Sequence, residues 1–91
     1  MDSMMERLET LPETYYDVTL FHDGEEDGTT VLCYGSFLDV ASTMDCIAEG
    51  YDTACISVCG RDLAYFGQLT WFEYEVLIDS DGLDEVEREL N

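Results

Sequence analysis

Lysine is absent from this 91-residue chain, and arginine occurs only at Arg7, Arg61 and Arg88. So few cations leave little to hold a phosphate or carboxylate substrate. A nucleic acid or an anionic lipid surface would be repelled. Proline occurs once, at Pro12, so no Pro-rich linker divides the chain. The four cysteines, Cys33, Cys46, Cys55 and Cys59, form no CxxC pair, and no second cluster or nearby histidine completes a zinc set. Free thiols packed as small hydrophobes are expected, with a Cys55–Cys59 redox or metal pair as the alternative. No run approaches the roughly 18 apolar residues of a membrane span. The segment Met1-Asp2-Ser3-Met4-Met5-Glu6 lacks the basic and apolar regions of a secretory signal. A cytoplasmic protein is the expectation.

Catalytic signatures are missing too. There is no GxSxG, P-loop, GxGxxG or HExxH. His22 is the only histidine and sits at a predicted strand end beside Asp23. Such a histidine is structural far more often than catalytic. The expectation is a protein that is not an enzyme, with no cofactor and no bound metal.

What the chain has in excess is carboxylate. Twenty-two Asp and Glu give a formal charge of −19, far beyond the magnitude of roughly 2–8 that keeps a small domain soluble. Self-repulsion on that scale opposes compaction. Even so, 46% of residues are hydrophobic and 12% aromatic, unlike a disordered acidic tail. The chain is read as one domain, residues 1–91, with a modest core.

Periodicity outlines that domain. Met4, Leu8 and Leu11 suggest a short helix over 3–11, ended by Pro12. From Thr14 to His22, Tyr16, Val18 and Leu20 alternate with Tyr15, Asp17, Thr19 and Phe21, the pattern of a strand. A turn at 23–28 and a β-rich run from Thr29 to Tyr34 predict a hairpin. Ser36 then reads as an N-cap, and Phe37, Val40, Ala41, Met44, Ile47 and Ala48 form one continuous helical stripe closed near Gly50. Ala54–Cys59 reads as a buried strand, Gly60–Asp62 as a connection, and Leu63–Phe66 as an extension of one neighbour or the other. Gln68–Ile78 reads as the longest strand, with Phe72, Tyr74, Val76 and Ile78 facing the core. Leu83, Val86 and Leu90 give a thin stripe on a terminal helix. The predicted fold is α+β: a four-stranded antiparallel sheet with one central helix on a face (ββαββ), plus an acidic C-terminal helix.

The predicted last strand would present Leu69, Trp71, Glu73, Glu75 and Leu77 on its outer face. Residues there recur at about 6.7 Å, comparable to the spacing of successive phosphates along a nucleic-acid strand. Two carboxylates so placed repel by only about 0.6 kcal/mol in water, so the array is tolerable alone and favourable against a row of arginines. Asp17 would lengthen it. Asp23, Glu25, Glu26 and Asp27 crowd the first turn. On the last helix Asp81, Glu85 and Glu89 would form one row, and Asp84 with Glu87 a second. Trp71 is either core, as aromatics at strand spacing usually are, or an exposed stacking surface for a partner's arginine. A charge run taken singly is usually a solvated face. Here every cluster shares one sign, whereas ordinary surfaces mix signs.

Calcium is the obvious competitor for such acids. Asp23, Glu25, Asp27 and Gly28 follow positions one, three, five and six of an EF-hand loop, but position twelve is then Tyr34, which offers no carboxylate. Aligning Asp79-Ser80-Asp81-Gly82 to the same loop puts Leu77 at position one and Arg88 at position twelve.

Small size, extreme acidity, no lysine, many aromatics and no catalytic motif together make the chain resemble the DNA-mimic inhibitors of phages and mobile elements, including anti-restriction and anti-CRISPR proteins. The resemblance lies in overall character, so no residue role is carried over. It implies a stoichiometric inhibitor that fills the nucleic-acid groove or PAM-reading site of a bacterial defence complex. A monomer or a homodimer is expected, the apolar positions on the outer face of the predicted last strand offering a dimer seam. Two other classes fit the same acidity. One is an immunity protein or antitoxin against a basic nuclease toxin, and the other an acidic interaction module of a larger assembly.

Overall fold

The structure, a computed structural model, describes residues 4–67 and 73–91. The chain runs α1 (Met4–Glu9), β1 (Thr14–Phe21), β2 (Thr29–Gly35), α2 (Phe37–Ser42), α3 (Met44–Ile47), β3 (Thr53–Val58), β4 (Arg61–Phe66), β5 (Glu75–Val76) and α4 (Ser80–Leu90). It is an α+β fold with an antiparallel sheet of five strands in the order β2-β1-β3-β4-β5. The first hairpin forms as its alternation predicts: Tyr16, Val18 and Leu20 are buried, and β2 pairs back with Tyr16 opposite Cys33 and Val18 opposite Val31. Because β2 and β3 flank β1, the α2–α3 segment crosses over β1 to join them.

Two features of the predicted ββαββ layout are corrected. The central helix is not continuous. Ser36 caps it as expected, its hydroxyl accepting from the Asp39 amide while the Asp39 carboxylate accepts from the Ser36 amide. The helix then breaks at Thr43, whose Oγ1 donates to the carbonyls of Asp39 at 3.1 Å and Val40 at 3.2 Å. A side chain that bonds back to the preceding turn competes with the backbone ladder. The apolar face survives the break, since Phe37, Val40, Ala41, Met44 and Ala48 are all buried.

The second correction is the strand count. Residues 61 and 62 are not loop: Cys59 (φ 54) and Gly60 (φ 73) make a two-residue turn with positive φ at both positions, the geometry that suits a tight hairpin. Arg61 pairs with Val58, and β4 is a strand in its own right. A bulge between Ile56 and Ser57 in the β3–β4 register leaves Leu63 as an extra residue on β4, so that the adjacent Leu63 and Ala64 are both buried. In the described part of the predicted last strand, the ladder with β4 covers Glu75 and Val76, and Leu77 adds an amide bond to the Leu63 carbonyl. The segment 68–72, including Leu69, Trp71 and Phe72, lies outside the described residues.

All four helices contribute to one buried cluster with the inner sheet face: Leu8, Phe37, Val40, Met44, Leu83 and Val86 join Tyr16, Val18, Ile56, Ala64 and Phe66. Phe37 meets Tyr16 at 6.3 Å and Tyr74 at 5.4 Å, and Tyr74 meets Phe66 at 5.3 Å. Burying each such side chain contributes about 1.5–3 kcal/mol. The terminal segments are seated by polar contacts as well. Tyr74 Oη donates to Glu9 Oε2 at 2.9 Å, and Asp79 caps α4 by accepting from the Gly82 amide at 2.7 Å. No helix among the described residues is long and apolar enough to cross a membrane.

Candidate functional site

With every helix on one face, the opposite face of the sheet has no described helix over it. Residues paired across antiparallel strands share a face, so the ladder defines the outer rows directly. One runs Leu32, Asp17, Ser57, Asp62 and the next Thr30, Thr19, Cys55, Tyr65, Glu75, from β2 outward. Tyr15 and Tyr34 sit side by side at one end, with ring centroids 4.9 Å apart.

At the other end of this face lies a hollow of about 310 Å³, lined by Phe21, His22, Asp23, Gly24, Glu25, Thr53 and Tyr65. The β1–β2 loop that forms one wall is held in shape locally. Glu25 Oε1 accepts from the His22 amide at 2.6 Å, Asp52 Oδ2 accepts from the Asp23 amide at 2.5 Å, and the His22 ring stacks on Tyr51 at 4.6 Å. The opposite wall is Tyr65, whose register partner is Glu75. Glu73 and Glu75 are exposed while the alternating Tyr74 and Val76 are partly buried, so the alternation read from the sequence holds here. The fold thus sets Glu75 beside Tyr65, the residue that closes the hollow opposite Asp23 and Glu25. Glu26 and Asp27 are exposed farther along the loop.

Asp17 shares the face but stands in the next row, half-buried. Two strands away, about 10 Å, lies Asp62, which accepts from the Ser57 hydroxyl at 2.7 Å. Asp62 and Tyr65 were missed in the sequence because 60–62 read as a connection and the Leu63–Ala64 pair hides the strand's alternation.

The terminal helix joins none of this. Arg7 Nη2 lies 2.6 Å from Asp84 and 2.5 Å from Glu87, and Arg61 pairs with Glu85. The Glu87 and Asp84 carboxylates, in that order, raise the Arg7 pKa above its ordinary value. The second predicted row, Asp84 with Glu87, therefore ties α4 to α1. The first row loses Glu85 to Arg61, and Asp81 and Glu89 remain exposed on the helix layer. Burial, then the Glu89 carboxylate, pushes the Cys59 thiol up to about 11; burial likewise leads the rise of Cys55 to about 11. The four cysteines are free thiols. Among the described residues no group of three or more His, Cys, Asp or Glu is arranged to hold a metal ion.

Charge is segregated by layer. Acids occur on both layers, but all the arginines belong to the helical one: Arg7 on α1, Arg61 turned to Glu85 of α4, and Arg88 on the last turn of α4. Asp17, Asp62 and Glu75 on the open sheet face, and Asp23, Glu25, Glu26 and Asp27 at its end, have no cation among them. Comparison with known proteins adds no further guide: no protein-family model, curated protein or solved structure matches the chain.

Proposed function

We propose that this protein is a non-catalytic inhibitor that offers its open sheet face to the nucleic-acid-binding groove of a bacterial defence nuclease complex, of the CRISPR or restriction type, in the host cytoplasm. The observation that carries the reading is the segregation of charge. A face whose charged groups are all carboxylates, backed by a layer that holds every arginine, suits a groove lined with arginine and lysine. The acidic corner at Glu73, Glu75, Asp23 and Glu25 is the centre of contact. Tyr65 and Phe21 in the hollow between them supply aromatic surface on which a guanidinium stacks.

Inhibition of target cleavage by purified CRISPR and restriction complexes, titrated with this protein at several salt concentrations, tests the reading. Binding is expected to be fast, to compete with DNA and to weaken as salt rises. The double variant Glu73→Lys/Glu75→Lys is expected to abolish inhibition while keeping the wild-type circular dichroism and melting temperature. Full inhibition by the folded double variant removes this corner as the contact. Capture of a single basic nuclease toxin, with indifference to every defence complex, replaces the reading with that of an immunity protein.

A further inference from the structure

The two edges of the sheet differ in kind. β5 is a two-residue ladder carrying Glu75. β2, at the other edge, is seven residues long, Thr29-Thr30-Val31-Leu32-Cys33-Tyr34-Gly35, with neither charge nor proline. It lies in the longest uncharged stretch of the chain, the eleven residues from Gly28 to Leu38. Thr29 through Leu32 and Tyr34 are exposed, and Leu32 and Tyr34 keep 66% and 62% of their surface in solvent. Only β1 pairs with β2 among the described residues, so every second residue turns its N–H and C=O outward over a length of about 24 Å. Exposed edges are ordinarily blunted with charge, proline or a bulge. A chain with 22 acids has placed none of them here.

We propose that β2 is the seam of a homodimer, two copies pairing their β2 strands antiparallel about a two-fold axis to make one ten-stranded sheet. Charge selects this occupant. A basic partner gains nothing from a neutral edge and is drawn to the acidic corner at the far end of the molecule. A second copy is repelled everywhere except where carboxylates are missing. The strand is also self-complementary, as a two-fold contact demands. An axis at its midpoint sets Leu32 against Leu32 of the second copy and Thr30 against its Tyr34 on the open face, with Val31 against its Cys33 on the other. Pairing consumes both long edges and, among the described residues, leaves the short, charged β5 at each end, so assembly stops at two.

The proposal is independent of the inhibitor reading, and salt separates the two. Sedimentation equilibrium across a range of protein and salt concentrations is expected to show a monomer–dimer equilibrium that shifts toward dimer as salt screens the repulsion, the opposite sign to binding of a basic partner. Leu32→Lys is expected to weaken dimerisation at least tenfold with an unchanged melting temperature of the monomer, while Leu77→Lys, beside the other edge, leaves it intact. Hydrogen exchange of the β2 amides is expected to slow as protein concentration rises. A strictly monomeric protein, a dimer insensitive to Leu32→Lys, or a dimer whose β2 amides stay unprotected overturns the proposal. Protection of β2 only on mixing with another protein assigns the edge to that partner instead and overturns it equally.

Discussion

Tyr16 is wholly buried under α2 and donates its phenol proton to the Pro12 carbonyl at 3.1 Å. Burial is the main cause that pushes its pKa up to about 12 from an ordinary 10. Tyr74 is raised too, by burial first and then by the Glu9 carboxylate that accepts its proton. A group whose pKa is raised on folding ionises first in the unfolded chain. The unfolded state then holds fewer protons, and stability falls with pH. The stability the Tyr16 phenol contributes is therefore intact below pH 10 and is lost as pH climbs through about 12, and the Tyr74 contribution is lost in the same direction. Denaturant midpoints measured across that window are expected to fall. Replacement of Tyr16 by Phe is expected to flatten the Tyr16 part of the decline, and an unchanged slope would show that the phenol is not its source.

At the scale of the element, the β3–β4 hairpin carries a local conflict. Its turn requires positive φ at Cys59, where φ is 54, and an ordinary side chain in that region costs roughly 1–2 kcal/mol. Asn tolerates the conformation, and Asn-Gly is the favoured pair for such a turn. Cys59→Asn is therefore expected to stabilise by about 1 kcal/mol, which for a domain of this size raises the melting temperature by about 4–8 °C. A lower melting temperature would mean that the contact of the Cys59 thiol with Glu89 outweighs the turn. This hairpin positions the candidate site as well, because β4 sets Tyr65 between the first loop and Glu75. The capped start of α2 and the stripe of α4 needed no such help to be legible, since Ser36, Leu83 and Val86 each carry a local signal. The break at Thr43 has a local signal as well, a Ser-Thr pair in mid-helix, which the unbroken apolar stripe masks.

Over the whole molecule, charge is the dominant long-range term. A formal charge of −19 is met, among the described residues, by the ion pairs of Arg7 and Arg61, and exposed pairs of this kind contribute little. Repulsion among the remaining carboxylates outweighs them, so screening is expected to help. Raising salt from about 0.05 M to about 0.5 M, across which the Debye length shortens severalfold, should raise the melting temperature. A fall would mean that the pairs binding α4 to α1 and β4 dominate instead. The protein on this view is most stable where the proposed inhibition is weakest, because one screening effect acts on both.

Composition and periodicity by themselves determined the acidic character, the first hairpin, the capped helix and the amphipathic C-terminal helix. Each of these follows from forces between residues close in sequence. Tertiary structure alone decided which of the carboxylates act together. Asp84, Glu85 and Glu87 look equivalent to Glu75 in the chain, yet arginines 77, 24 and 80 positions away claim them. Only sheet order sets Tyr65 between the loop acids Asp23 and Glu25 and its register partner Glu75, and leaves a neutral strand at an open edge. Electrostatic pairing and strand pairing act through space, and separation along the chain says nothing about either.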